Sequence, residues 1–277
     1  MLWHYGGGEV RTMRAAWVTD IHLNFLNAAR VEDFCAALRA ESPDIVLVGG
    51  DIAEADTVEW YLKTMAADIR RPIYFVLGNH DFYQGSIPTV RKVMDDLCRA
   101  ENRLTYLSQS GCVKLTDTTG LVGHDGWGDG RLGDYANSTV RLTDHRLIRE
   151  LSGLDRDELL ARLNRLGDEA ADHLRVVLPQ ALDAYERVIL LTHVPPFVEA
   201  CWHEGKTSDG NWAPFFTCKA VGDVLLETMS KRQDRQLTVL CGHCHGAGRA
   251  QLLPNLDVLT GRAEYGAPEI QTVIEIG

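Results

Sequence analysis

Apolar residues fall along this chain in short runs, and five of these runs end on side chains that carry chemistry. Ala15 to Val18 runs into Asp20-Ile21-His22, and Ile45 to Val48 into Gly50-Asp51. Ile73 to Leu77 runs into Gly78-Asn79-His80-Asp81. Val188 to Leu191 runs into Thr192-His193, and Leu237 to Leu240 into Gly242-His243-Cys244-His245. A short, wholly apolar run bounded by turn residues predicts a strand buried on both faces. Polar side chains at the C-terminal end of such a strand predict a ligand site, because α/β sheets bind their ligands outside the carboxyl ends of the strands.

Helical spacing fills the gaps between the first runs. Val31, Phe34, Ala37 and Leu38 recur at i, i+3 and i+4 spacing and predict a helix over 27–41. Further helices are expected over 54–69 and 87–100. The alternation is βαβαβ, which implies parallel strands, right-handed crossovers and covered sheet faces. Asp20, Asp51 and Asn79 should then stand side by side at one rim. Short strands are expected near 104–107, 112–115 and 119–123, with Gly111 and Gly120 between them suggesting antiparallel pairing. The glycine-rich loop 123–131 is either a plain connection or part of the site wall.

Residues 140–186 read as helical, with Leu154, Leu159, Leu160, Leu163 and Leu166 as a core stripe and a break at Gly167-Asp168. Strand 187–192 is stopped by Val194-Pro195-Pro196. The long loop 197–216 carries Trp202, His203, Ser208, Asp209, Asn211 and Trp212, and loops of this length are commonly functional. A helix near 217–230 leads to strand 236–240. Strands 256–260 and 269–276 are expected to close a second sheet. Residues 1–12, with three consecutive glycines, read as a loose extension, and 13–277 as a single domain. Met13 is a candidate start, which removal of residues 1–12 tests.

Bulk properties narrow the classes. The 277 residues are ample for a core, and 45% hydrophobic content with 24% charged is ordinary globular composition. Lys and Arg number 28 against 39 Asp and Glu, a formal net charge of −11. That balance lacks the positive footprint of a nucleic-acid binder. No apolar stretch reaches the length of a membrane span, and the N-terminus has no secretory pattern. The seven cysteines lack framework spacing, so free thiols and a cytoplasmic location are expected.

Asp20 and His22 are two apart, so in extended geometry both point to one side, and the same holds for His243 and His245. A cluster that mixes carboxylate, carboxamide and imidazole suits Mn, Fe, Zn or Ni better than Mg or Ca. The donors are too many for one ion and suit two, with one carboxylate shared. Two ions about 3.5–4 Å apart can clamp the attacking and leaving oxygens of a displacement at phosphorus.

The set Asp20-x-His22, Gly50-Asp51, Gly78-Asn79-His80-Asp81, His193 and Gly242-His243-x-His245 resembles the calcineurin-like metallophosphoesterases. The five motifs span most of the chain. The resemblance implies an α/β fold: a four-layer α/β/β/α sandwich of two mixed sheets flanked by helices, with a dinuclear metal centre at the rim between the sheets. Asp20, His22 and His245 would hold the first metal, and Asn79, His193 and His243 the second. Asp51 would bridge them. His80 would protonate the leaving alkoxide while a metal-bridging hydroxide attacks phosphorus, and Asp81 would orient His80. The cofactors would be two transition metal ions, Mn, Fe or Zn, and the partner a small phosphorylated substrate, phosphodiester or phosphomonoester. No membrane partner is expected. The second motif lacks the Asp-Arg-Gly of the protein Ser/Thr phosphatase branch, since Gly50-Asp51 continues Ile52-Ala53-Glu54-Ala55-Asp56. The pattern fits the phosphodiesterase branch and the DNA-repair nucleases, and the acidic charge argues against the latter.

Other readings stand beside this one. Cys241-Gly242-His243-Cys244-His245 matches the c-type haem attachment pattern, but such attachment needs export and would remove His245 from the metal set. Cys241 reads instead as a small buried apolar residue. A non-catalytic scaffold on the same fold would be expected to have lost ligands, and here the set is complete. His4, His145 and His173 carry no expected role. His124, His203, Asn211 and Trp212 are the candidate substrate contacts near the rim.

Overall fold

The computed structural model describes residues 12–277. Apart from Thr12, the extension expected over 1–12 lies outside them. Five strands build the first sheet. β1 (Met13–Val18), β2 (Ile45–Gly49), β3 (Ile73–Val76) and β4 (Leu104–Tyr106) are parallel neighbours, joined by α1 (Ala28–Ala40), α2 (Val58–Ile69) and α3 (Ile87–Ala100). The hairpin β5 (Val113–Lys114) and β6 (Thr119–His124) opens the second sheet. A short helix α4 (Asp144–Leu147) and the long α5 (Arg156–Ala184) lead to β7 (Arg187–Thr192).

A small hairpin, β8 (Trp202–His203) with β9 (Lys206–Thr207), and the turn of helix α6 (Ala213–Phe216) precede α7 (Lys219–Ser230). The chain ends with β10 (Gln236–Cys241), β11 (Gly248–Leu253), β12 (Leu256–Thr260) and β13 (Thr272–Ile276). The second sheet runs β11-β12-β10-β7-β6-β5, with β12, β10, β7 and β6 parallel.

Strand alternation explains the layering. In β2, Val46 and Val48 face the helices α1 and α2, while Ile45 and Leu47 face the other sheet. In β7, Val188 and Leu190 join the cluster with α5 and α7, while Ile189 and Leu191 face inward. Every second side chain therefore packs on a helix and the rest pack between the sheets, which is why these strands read as continuous apolar runs. The result is helices, sheet, sheet, helices.

Several expectations are corrected. β4 is a parallel strand of the first sheet, because α3 returns the chain as a third crossover; of the three strands only β5 and β6 pair antiparallel. β13 pairs antiparallel with β1 and so closes the first sheet rather than the second. β11 was not legible, since Gly248-Arg249-Ala250-Gln251 is mostly polar on an edge. The helix expected from 140 starts at Arg156, where Asp155 and Glu158 form a reciprocal capping box. It runs through Gly167 unbroken, because that glycine is a contact rather than a stop: a Cβ there would lie 2.5 Å from the Cβ of Asp129. Among the described residues no helix is long and apolar enough to cross a membrane.

Candidate metal centre

β1, β2 and β3 are neighbours in one sheet and β7 and β10 in the other, so their C-terminal ends meet at one rim. The ligand side chains do not arrive in extended geometry. Asp20 (φ 51°), His22 (φ 41°), Asp51 (φ 51°), His243 (φ 68°) and His245 (φ 57°) are all left-handed, a conformation that costs about 1–3 kcal/mol per non-glycine residue. The pairs at 20/22 and 243/245 therefore converge because the chain curls back after the strand, and the alternation argument does not apply. The curl is pinned across the rim. The Asp20 N–H donates to the Gly50 carbonyl and the His22 N–H to that of Asp51, at 3.0 and 2.9 Å. From the other sheet, the His243 N–H donates to Asp20 Oδ1 at 2.9 Å. The glycines before these ligands leave room for carboxylates: a Cβ at Gly78 would collide with Asp51 Oδ1, and one at Gly242 with Asp20 Oδ2.

Two donor groups result. Asp20, His22, Asp51 and His245 offer ligand atoms within 4.8 Å of one another, and so do Asp51, His193 and His243. Asp51 belongs to both. Asn79 completes the second group, with Oδ1 3.2 Å from His193 Nε2. Hydrogen bonds behind the rings aim the free nitrogens inward. His193 Nδ1 donates to the Gly49 carbonyl at 2.9 Å, which leaves Nε2 facing Asp51 Oδ1 at 3.4 Å. His243 Nε2 donates to the Phe215 carbonyl at 3.2 Å, which leaves Nδ1 for the site. Such outer partners fix tautomer and ring orientation.

The electrostatics mark a site built for cations. Burial would raise both carboxyls, but His193 and the other imidazoles hold Asp20 and Asp51 below the usual range. Burial would lower His193, yet Asp51 and Asp20 push it up to about 10. Burial lowers His22 and His243 to about 4, so both are neutral imidazoles with lone pairs to give. Both ring nitrogens of His22 are buried and have no hydrogen-bond partner among the described residues. A buried imidazole left unpaired between two carboxylates is costly unless it ligates a cation. The mixed oxygen and nitrogen donors fit two transition metal ions.

His80 stands at the edge of this cluster, its Nε2 4.0 Å from Asp51 Oδ2 and its ring stacked on Tyr83 at 4.2 Å. Asp81 has a different partner set from the one expected. Oδ1 accepts the N–H groups of Ile52 and Ala53, at 2.9 and 2.8 Å, and Oδ2 that of Gly78 at 2.8 Å. It ties the second motif to the third, and the ring beneath His80 is that of Tyr83.

A cavity of about 420 Å³ opens over the centre. Asp51, Asn79, His80, His243 and His245 form its floor; its walls include Tyr83, Arg141, Asp144, His203, Trp212 and Tyr265. Of the candidate substrate contacts, His203 and Trp212 line it. Asn211 is turned away, with Oδ1 accepting the Thr139 N–H at 2.9 Å. His124 is buried on the α5 side, 5.3 Å from the His173 ring, and burial lowers it to about 3; it lines no part of the cavity. The glycine-rich loop lies behind the second donor group and outside the main cavity.

Tyr83, Asp144 and Tyr265 were not read from the sequence as site residues. Neither was Asp125, which accepts the Leu77 N–H at 2.8 Å and, through its carbonyl, the His193 N–H at 3.0 Å. Asp125 had a visible signal, since it too follows an apolar strand and a polar residue. The haem pattern dissolves in three directions: Cys241 faces Thr260, Cys244 lies 2.9 Å from Cys201 Sγ, and His245 faces Asp20.

The fold resembles that of phosphopantetheinyl hydrolase from Mycobacterium tuberculosis, with a TM-score of 0.67 and 16% identity over 96% of both chains. It also resembles a dimetal phosphatase from Danio rerio, with a TM-score of 0.55 and 16% identity over 90% of this chain and 87% of that one. No curated protein matches the sequence. The family model for the calcineurin-like phosphoesterases matches residues 13–247. Strand-end ligands, shared carboxylate and fold thus agree with that match, and the chain belongs to the calcineurin-like phosphoesterase family.

Proposed function

We propose that this protein hydrolyses a phosphate ester of a small molecule, diester more than protein-bound monoester, with two transition metal ions. The observation that carries the reading is the buried Asp51 shared by both donor groups beneath an open cavity. Asp20, His22 and His245 would hold one ion, Asn79, His193 and His243 the other, and Asp51 both. When bound, such ions supply Lewis acidity at a phosphoryl oxygen and a nucleophile at neutral pH.

The residues of the chain do the rest. His80 sits at the mouth with Nε2 directed toward the centre, where it can give a proton to the leaving oxygen. Tyr83 holds its ring by stacking. Trp212 and Tyr265, both half-exposed, offer flat apolar surfaces to the part of the substrate beyond the phosphate, and Arg141 offers a charge. The seven cysteines are free thiols, which supports a reducing, cytoplasmic location. The net charge of −11 favours small substrates over nucleic acid.

The test is kcat/KM for bis-p-nitrophenyl phosphate against p-nitrophenyl phosphate with Mn²⁺, with Asp51→Asn as the blank. Diester preference supports the reading, and monoester preference moves it to phosphorylated metabolites. Absence of both hydrolysis and bound metal would instead mark a scaffold. A phosphopantetheinyl ester belongs in the next panel, as the group named for the hydrolase whose fold resembles this one over 96% of both chains.

A further inference from the structure

Asn79 differs from the other ligands in one respect. Its carboxamide has two ends of equal shape, and only the oxygen can ligate a cation. Something must choose which end faces the centre. Asn79 Nδ2 donates to Asp144 Oδ1 at 2.9 Å. The same oxygen accepts the Tyr83 hydroxyl at 2.6 Å. A carboxylate can only accept, so it draws Nδ2 to itself and turns Oδ1 toward His193 Nε2, 3.2 Å away. Asp144 is 5% exposed, so its hydrogen bonds form away from bulk water, where a charged acceptor is strongest. It sits at the start of α4, a segment that carries none of the five strand-end motifs.

We infer that Asp144 is a positioning residue that fixes the Asn79 carboxamide with its oxygen toward the second metal position. The inference rests on the dinuclear reading above. Tyr83 serves it in turn: by spending its hydroxyl on Asp144 Oδ1, it holds the carboxylate in place and keeps its own ring beneath His80. One buried carboxylate thereby links a ligand of the second position with the platform of the proton donor.

The experiment titrates Mn²⁺ into EDTA-stripped protein by calorimetry. Wild type should bind two ions per chain. Asp144→Ala should keep the first affinity and weaken the second by about 10–100-fold, the usual effect of losing a partner behind a ligand. Asp144→Asn keeps an accepting oxygen but is no longer acceptor-only, so its loss should be clearly smaller than that of the Ala variant. Thermal midpoints of the stripped proteins separate a folding defect from a binding one. If Asp144→Ala does not fold, Asp144→Leu, which keeps the volume and offers no acceptor, carries the same expectation. Two sites at wild-type affinity in the Ala or Leu variant overturn the inference. So does an equal loss in the Asn variant, which would assign the effect to charge. Fewer than two ions in wild type would instead overturn the dinuclear reading.

Discussion

The ligands on the cavity floor hang from strand ends that backbone contacts lock across two sheets, whereas the walls are carried by the connections between elements. At and just behind the floor, the His243 N–H reaches Asp20 and the His193 N–H reaches the Asp125 carbonyl, so both residues are held by distant stretches of the chain. In the walls, Trp212 and Tyr265 stand half-exposed on loops. The difference teaches where chemistry and selectivity reside. A floor pinned by backbone tolerates little change. Walls on loops can change shape and side chains without disturbing the ligands, which is how one scaffold serves many substrates.

The largest effect should come from the shared carboxylate. Asp51→Asn should weaken both metal positions together and cut kcat/KM by more than the roughly 10²–10³-fold cost of a single lost electrostatic contact. Metal content by elemental analysis checks it, and loss of one ion alone would break the bridging role. Next, His80→Ala should retain two ions and lose about 10²–10⁴ in kcat; loss of metal in that variant would make His80 a ligand. Gly78→Ala tests the locking itself. Its Cβ would displace the Asp51 carboxylate, so urea unfolding should show a loss of about 1–3 kcal/mol, with weaker Mn²⁺ binding.

The walls should respond differently. Trp212→Ala or Tyr265→Ala should leave metal affinity intact and raise KM about 2–10-fold, the scale of one aromatic contact. An altered metal affinity would mean that floor and walls are not separable. The smallest kinetic effect is expected at His124, where replacement by Gln should leave KM unchanged because the ring packs against His173 away from the cavity.

What could be read in advance follows the same division. The strands carrying ligands are buried on both faces, so β1, β2, β3, β7 and β10 appear as apolar runs whatever packs on them. Their polar ends stand out for the same reason, and Asp20, His22, Asp51, Asn79, His193, His243 and His245 were legible as one constellation. Elements whose partners are distant were not. β4 and β13 joined the first sheet through pairings that local spacing does not encode, and β11 has only an edge and so no full alternation. Asp81 was misread as the partner of His80 because adjacency in sequence stood in for geometry, while the short helical turn carries its oxygens to Ile52, Ala53 and Gly78.

By itself, the sequence determined the layered α/β architecture and the donor set, because burial and metal-ligating chemistry are properties of residue type and order along a strand. Only the tertiary structure decided how the donors converge, through five left-handed ligand residues that local propensity disfavours and that contacts across the rim hold in place. It also decided which residues stand behind and around them. Asp144, Tyr83 and Tyr265 carry no motif, and a side chain far along the chain becomes part of a site only when packing of the whole chain brings it there.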